Sequence, residues 1–146
     1  MPKMMSARRQ TVLAVLDAYN SWDIGKLTSL RAPECVHQVL PASLDRPPMS
    51  NSEYDTYFST VMLMFRNFRV EVNDMIEDLG NEKVVVWAKS TAETDIGPYR
   101  SEYMLVFYLN NKGDKVTRFL EFVDSAVAKD FLPKLRRHIA EGRRVV

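Results

Sequence analysis

Apolar residues in the second half of the chain recur with the period of β-strands. Between residues 68 and 124, four runs rich in Val, Ile, Phe and Tyr are separated by short segments that contain Gly, Asn, Asp or Pro. β-branched and aromatic side chains suit a pleated, buried surface. The intervening segments, residues 79–82, 95–98 and 110–114, have the length and composition of hairpin turns. The pattern therefore predicts an antiparallel meander of four strands.

Helical signals mark four other segments, and a short strand lies between the second and the third. Residues 8–22 carry an apolar stripe at helical spacing, Asp23 can cap a short second helix, and residues 34–42 form a short strand. Ser50 and Glu53 have the spacing of a capping box before the helix at residues 51–65. Asp124 or Ser125 caps a last helix that ends at Gly142. This order predicts one α+β domain over residues 1–146, with a core at about 8–139, whose helices cover one side of a curved antiparallel sheet.

Composition narrows the functional classes. The chain has 146 residues, 46% of them hydrophobic, and a net charge of +1, which favours neither nucleic acid nor a membrane as a partner. A single cysteine, Cys35, excludes an internal disulfide framework. Neither a signal-like N-terminus nor a long apolar run is present. We therefore expect a cytoplasmic protein with no membrane or nucleic-acid partner.

Side-chain phase along the strands gives the first candidate site residues. Phe68, Val70, Val72 and Ile76 alternate on one face, which we interpret as the core face, and Asp74 shares their phase. A two-residue turn at Gly80-Asn81 places Asp74 opposite Trp87. This register predicts a concave face on the second strand of the meander formed by Val85, Trp87, Lys89, Thr91 and Glu93.

Two carboxylates on the last two strands form a candidate catalytic pair. In a hairpin that pairs Leu109 with Asp114, Glu102 faces Glu121, and directly opposed residues have Cβ atoms about 4.5–5.5 Å apart. Two close, partly buried carboxylates do not both ionise easily, so one of them can act as an acid near neutral pH. The alternatives are a register shift that exposes one carboxylate, or neutralisation by Lys89 or Arg100.

His37 is the natural proton shuttle, because it lies on the first strand and histidine titrates near neutral pH. Its alternative is a hydrogen-bonded core residue. Asp74 is a candidate base, with a hydrogen bond to the Trp87 indole as its alternative. A metal site made of His37, Asp74, Glu102 and Glu121 remains a minor alternative, since the chain has two histidines and no ligand spacing.

Three segments resemble the SnoaL-like proteins of the nuclear-transport-factor-2-like superfamily, and particularly those of fungal polyketide and meroterpenoid pathways. They are residues 32–44 (APECVHQVLPASL), 96–103 (IGPYRSEY) and 118–125 (RFLEFVDS). The resemblance covers about residues 8–139. It implies a conical α+β barrel with a deep pocket, a dimer, and acid–base chemistry without a cofactor.

The ketosteroid isomerases of this superfamily provide a residue-level comparison. Their oxyanion-hole acid corresponds to Glu102, and a pocket aromatic near Val123 implies that Phe119 and Glu121 also point inward. The positions of their catalytic tyrosine and catalytic base correspond to about Val15 and Val39 here, so this chain lacks both catalytic residues. The resemblance therefore implies a catalytic set different from that of a steroid isomerase.

We therefore expect a cofactor-independent isomerase or cyclase that rearranges a bulky, mostly apolar natural-product intermediate, a fungal meroterpenoid or polyketide. The alternatives are a dehydratase, a lactone or ester hydrolase, and a non-catalytic binding or dimerisation module. We expect a small-molecule substrate, no metal or nucleotide, and a homodimer formed through the outer sheet face. The residues assigned to that face are Tyr103, Leu105, Phe107, Val116, Leu120 and Phe122. The predicted catalytic residues are His37, Asp74, Glu102 and Glu121, and the predicted substrate contacts are Tyr54, Phe65, Trp87, Lys89, Arg100, Met104, Tyr108 and Phe119.

Overall fold

The computed structural model describes residues 5–144 and contains the predicted helices and strands in the predicted order. In chain order they are α1 (Ala7–Asn20), α2 (Ile24–Ser29), β1 (Arg31–Leu40), a 3₁₀ turn (Ala42–Leu44), α3 (Asn51–Met62), β2 (Arg66–Asp78), β3 (Lys83–Thr94), β4 (Gly97–Leu109), β5 (Val116–Val123), a π-helical turn (Val127–Phe131) and α4 (Leu132–Arg144). Several boundaries differ from the prediction: β1 starts three residues earlier and ends at Leu40, α1 and α3 end two and three residues earlier, and α4 continues past Gly142.

The five strands form one curved sheet in the order β1-β5-β4-β3-β2. The meander β2 to β5 is antiparallel, as predicted, whereas β1 pairs with β5 in parallel. The predicted α+β cone is confirmed, with this parallel edge strand added. The parallel pair matters for the site because it brings the first strand of the chain next to the last.

The predicted register of the first hairpin is confirmed. The predicted inward face is right for Phe68 and Val70 but wrong for Asp74, Ile76 and the whole of β3. Asp74 pairs with Trp87 and Ile76 with Val85. Asn73 is an extra residue between the pairs Val72–Ala88 and Asp74–Trp87, and such a bulge reverses side-chain direction beyond it. The core face of β3 is therefore Val84, Val86, Ala88, Ser90, Ala92 and Thr94.

The helices cover the concave face of the sheet. Val12, Val15 and Leu16 of α1 are buried, and Tyr54 and Phe58 of α3 pack in the same cluster. The predicted capping box is present: the Ser50 hydroxyl accepts from the Glu53 amide, and the Glu53 carboxylate accepts from the Ser50 amide. No helix within residues 5–144 is long and apolar enough to cross a membrane.

The convex face carries an apolar row across three strands. Trp87 pairs with Met104, which pairs with Phe122, and these side chains are 41%, 43% and 48% exposed. The predicted outer set was partly wrong, because Leu105, Phe107 and Val116 are buried on the concave side, which Tyr103 also faces. Leu120 and Phe122 do lie outside. Exposed apolar groups arranged in this way are typical of an interaction surface.

We propose that this convex row forms the interface of a homodimer. Phe122→Lys places a charge at the centre of an apolar contact, so we expect wild type to be a dimer and this variant a monomer by light scattering. Glu141→Lys, on the exposed side of α4, is the control and keeps the dimer. A monomeric wild type at micromolar concentration contradicts the proposal.

Candidate active site

A partly open pocket lies between the concave sheet and the helices. Its empty volume is about 1000 Å³ when the open mouth is included. The wall is mostly apolar and aromatic, and its polar members are few. The polar and charged lining residues are Tyr19, Arg46, Tyr54, Tyr57, Tyr99, Ser101, Tyr103, Glu121, Asp124 and Arg136. A large apolar cavity with a few convergent polar groups is the usual form of a small-molecule site.

A histidine and a glutamate meet at the junction of β1 and β5. His37 Nε2 lies 2.9 Å from Glu121 Oε1. The parallel register pairs His37 with Phe119 and Val39 with Glu121, which places the two side chains on the same face. His37 is fully buried, whereas the Glu121 side chain is 26% exposed and lines the pocket. Glu121 is therefore the member of the pair that can reach a ligand.

Arg31 determines which nitrogen of His37 carries the proton. Its Nη2 lies 3.0 Å from His37 Nδ1, and a guanidinium has donors but no acceptor. Nδ1 must therefore accept, so the ring is the neutral tautomer with its proton on Nε2. That proton is donated to Glu121. The three side chains form one directed chain of hydrogen bonds that ends on the Glu121 carboxylate.

Burial keeps His37 neutral. The pKa of His37 is lowered from its ordinary 6.5 to about 4, chiefly because the ring is removed from water and to a smaller extent because of the positive charge of Arg31. The hydrogen bond and negative charge of Glu121 act in the opposite direction but do not offset the burial. A second proton would also have to sit on Nδ1, where Arg31 already points a donor. At neutral pH His37 is therefore an uncharged donor that orients the Glu121 carboxylate.

Arg31 is itself held inside the protein by an aromatic ring. It is 8% exposed, and its guanidinium carbon lies 4.0 Å from the centre of the Tyr54 ring. The His37 ring stacks on Tyr54 at 4.4 Å and meets Phe119 edge-on at 4.4 Å. A cation over a ring face is attracted by the ring quadrupole. These contacts fix the rotamers of both residues behind the pocket wall.

Two pairs of tyrosine hydroxyls lie along the pocket. The hydroxyls of Tyr19 and Tyr54 are 2.6 Å apart, those of Tyr99 and Tyr103 are 2.8 Å apart, and Tyr103 also contacts the Ser90 hydroxyl at 2.8 Å. Burial raises the pKa of Tyr19 to about 12, and it also raises the pKa values of the other three tyrosines. The negative charge of Glu121 adds to the rise in all four. All four hydroxyls are therefore protonated, and in each pair one hydroxyl donates its proton to the other.

Four of the predicted site residues line this pocket: Tyr54, Phe65, Phe119 and Glu121. His37 lies directly behind Glu121. The structure brings these residues together, and their roles in substrate binding or catalysis stay predictions.

The predicted carboxylate pair is wrong. Glu121 is opposite Leu105, and Glu102 is opposite Lys89 on the other face of β4. The Trp87 indole nitrogen donates to Glu102 Oε2 at 2.6 Å on the outer surface. Leu109 pairs with Val116 and not with Asp114, so the register at the turn differs by two residues from the one assumed. The irregularity between Tyr108 and Leu109 adds one more residue and so reverses the face.

The other predicted contacts on the meander are also outside the pocket. Asp74 is exposed and its Oδ1 accepts from the Met75 amide. Trp87, Lys89, Arg100, Met104 and Tyr108 share the convex phase of their strands. The bulge at Asn73 explains this error. Without it, the face of β3 that carries Trp87 was assigned to the interior, and the residues of β4 paired with that face were then assigned to the interior as well. The predicted pocket positions of these six residues are wrong.

Sequence reasoning missed Arg31, Tyr19, Tyr99 and Tyr103. Tyr99 and Tyr103 share a strand phase opposite to that of Glu102, so a correct choice of face would have found them. Arg31 and His37 lie an even number of positions apart. A predicted first strand that began at residue 31 would therefore have placed Arg31 on the same face as His37.

The minor alternative of a metal site does not fit the geometry. Within residues 5–144, no group of three or more His, Cys, Asp or Glu side chains is placed to hold a metal ion. Asp74 and Glu102 lie on the convex face, away from His37 and Glu121.

Comparison with known proteins identifies relatives along nearly the whole chain. The chain is 37% identical over 132 residues to core atranone cluster protein 11 of Stachybotrys chlorohalonatus, covering 90% of this chain and 98% of the relative. It is 26% identical over 143 residues to monooxygenase nsrQ of Aspergillus novofumigatus, covering 98% and 95%. No family model matches the chain.

Solved structures with a similar fold are also found. BvnE pinacolase from Penicillium brevicompactum superimposes with a TM-score of 0.83 at 28% identity, covering 93% of this chain and 97% of that one. A putative SnoaL-like polyketide cyclase from Shewanella denitrificans has the same fold, with a TM-score of 0.72 at 11% identity and coverage of 87% and 97%. The chain belongs to the same family as core atranone cluster protein 11, and it has the fold of the SnoaL-like and nuclear-transport-factor-2-like proteins.

Proposed function

We propose that this protein is a cofactor-independent isomerase that rearranges a bulky, mostly apolar natural-product intermediate by general acid–base catalysis. The observation that carries the proposal is the Glu121 carboxylate, which lines an apolar pocket and is held from behind by a buried, neutral histidine. A carboxylate held in this way is a positioned base.

Glu121 would remove the proton that starts the reaction. The donor is a substrate hydroxyl or a carbon acid next to a carbonyl group. His37 stays neutral throughout and keeps one carboxylate oxygen in its hydrogen bond, so the other is free to accept a proton. A positioned base typically contributes about 10²–10⁴-fold to the rate.

The tyrosine hydroxyls would stabilise the oxygen that gains negative charge. Tyr99 and Tyr103 line the pocket, and their raised pKa values keep them protonated. The Ser90 hydroxyl supports Tyr103 from the buried side of β3. Fixed donors in a pocket with little water stabilise charge as it develops. The proton held by Glu121 then returns to the product, so the substrate is rearranged without a change in mass.

The name of one relative supports a rearrangement. BvnE is described as a pinacolase. When the neighbouring carbon carries a carbonyl group, a pinacol-type shift turns the hydroxyl into a carbonyl, moves a carbon–carbon bond and turns the neighbouring carbonyl into an alcohol, so no water is lost. Such a reaction needs a base at the hydroxyl and a donor at the oxygen of the neighbouring carbon. Glu121 and the Tyr99–Tyr103 pair can supply these two groups.

A second candidate is oxygenation, because the relative nsrQ is described as a monooxygenase. The same base would form a substrate carbanion, which adds to molecular oxygen to give a hydroperoxide. Loss of water from the hydroperoxide leaves a carbonyl group, so the substrate itself supplies the two electrons that reduce the second oxygen atom. A product that has gained one oxygen atom and lost two hydrogen atoms distinguishes this reaction from isomerisation. Loss or gain of water indicates a dehydratase or a hydrolase, and tight binding without turnover indicates a binding module.

We expect the purified protein to convert an intermediate that accumulates in a strain lacking the gene into a product of identical mass. Mass spectrometry with chromatographic separation detects the conversion, and the reaction is repeated after exhaustive chelation and in the absence of oxygen. Equal turnover under all three conditions agrees with the proposal. Turnover that a single divalent metal restores after chelation, or that requires oxygen, contradicts it.

A further inference from the structure

Two arginines line the pocket without a carboxylate partner. Arg46 follows the 3₁₀ turn after β1, and Arg136 lies on α4. Both are half-buried. Within residues 5–144, neither guanidinium lies within 4.0 Å of a carboxylate oxygen.

The two carboxylates on the same wall are already engaged. Glu121 accepts from His37, and Asp124 Oδ1 accepts from the Ala126 amide at 3.1 Å where the last helical segment begins. Arg46 is oriented by Tyr57, whose hydroxyl accepts from its Nη1 at 2.9 Å and whose ring lies 5.6 Å from the guanidinium. The pocket wall therefore carries two positive groups that no carboxylate within reach neutralises.

We propose that Arg46 and Arg136 bind an acidic group on the substrate, so that the ligand of this pocket is an apolar skeleton with one anionic oxygen group. A half-buried guanidinium favours a charged acceptor, because its donors match a carboxylate and its charge is incompletely solvated. This inference rests on the proposed use of the pocket as a ligand site. It adds the charge of the substrate, which the acid–base chemistry at Glu121 does not specify.

Two dyes with the same aromatic skeleton test the charge preference. Anilinonaphthalene sulfonate is an anion, and phenylnaphthylamine is its neutral counterpart; both fluoresce more strongly in apolar sites. We expect both to bind wild type and to compete with one another. Arg46→Gln and Arg136→Gln should each weaken the sulfonate by about tenfold and leave the neutral dye unchanged, since each removes one charge-assisted contact.

Matched variants make the comparison specific. Arg137→Gln, one position along α4 and exposed, should change neither affinity. Arg46→Lys and Arg136→Lys should recover part of the sulfonate affinity. Ala128→Trp fills the pocket and should abolish binding of both dyes. Thermal melting of every variant verifies that it is folded.

Each outcome decides between the proposals. Sulfonate affinity that is equal in wild type and in both glutamine variants overturns the anion site, while binding of the neutral dye still supports the pocket. Dye binding that survives Ala128→Trp places the dyes elsewhere, and this overturns the assignment to Arg46 and Arg136. Failure of the neutral dye to bind a folded wild type contradicts the ligand pocket itself.

Discussion

We expect the Glu121→Gln variant to fold like wild type and to lose turnover by about 10²–10⁴-fold, the usual contribution of a positioned base. The amide oxygen can still accept the Nε2 proton of His37, so the buried chain of hydrogen bonds is preserved. The amide cannot take a proton from the substrate. Turnover of the isolated intermediate, measured beside the circular dichroism spectrum, tests this expectation.

Glu102→Gln is the matched control for this variant. Glu102 lies on the convex face, and its contact with the Trp87 indole can be kept by an amide oxygen. We therefore expect near-wild-type turnover. Equal turnover in Glu121→Gln and wild type would place the chemistry elsewhere, and a comparable loss in both variants would support the carboxylate pair that the register excludes.

The second large effect is a loss of stability in mild acid. His37 binds a proton near pH 6.5 when the chain is unfolded, but its pKa is about 4 in the folded state. Between these values the unfolded chain binds more protons, so acid favours unfolding. The contribution of His37 is fully present above about pH 6.5 and falls by about 3 kcal/mol as the pH approaches 4. Urea unfolding at several pH values measures this change.

A His37→Gln variant separates this effect from the titration of other groups. Its amide can donate to Glu121 and accept from Arg31, but it does not titrate. We expect the variant to be less stable than wild type at neutral pH and to have a shallower pH dependence between pH 6.5 and 4. Parallel curves for the two proteins would mean that His37 does not stay neutral in the folded state.

The fold could be predicted because its signals are local. Alternation, turn residues and the Ser50–Glu53 capping box each depend on a few adjacent residues, and each is present in the structure. The pairing of Asp74 with Trp87 followed from the turn alone. The parallel partner of β1 could not be found in this way, because no local pattern specifies which distant strand accepts it.

The site was only partly predictable for a related reason. A bulge at Asn73 has no distinct sequence signal, and one extra residue exchanges the two faces of every strand aligned from that point. His37 and Glu121 were both identified as candidates. The hydrogen bond between them was missed because it depends on the unpredicted pairing of β1 with β5, and because Glu102 was assigned as the partner of Glu121.

The parallel pairing of β1 with β5 has a consequence for how the protein acquires activity. His37 and Glu121 are 84 positions apart in the sequence, so their hydrogen bond closes a longer loop of chain than any other contact used in the proposed mechanism. Contacts of long sequence separation are entropically costly and form late in folding. The hairpins of the meander can assemble from neighbouring segments, but the base is held in place only after both ends of the chain have docked. Recovery of catalysis during refolding therefore reports completion of the whole sheet, and a partly assembled chain has the tyrosines of β4 without the carboxylate that would use them.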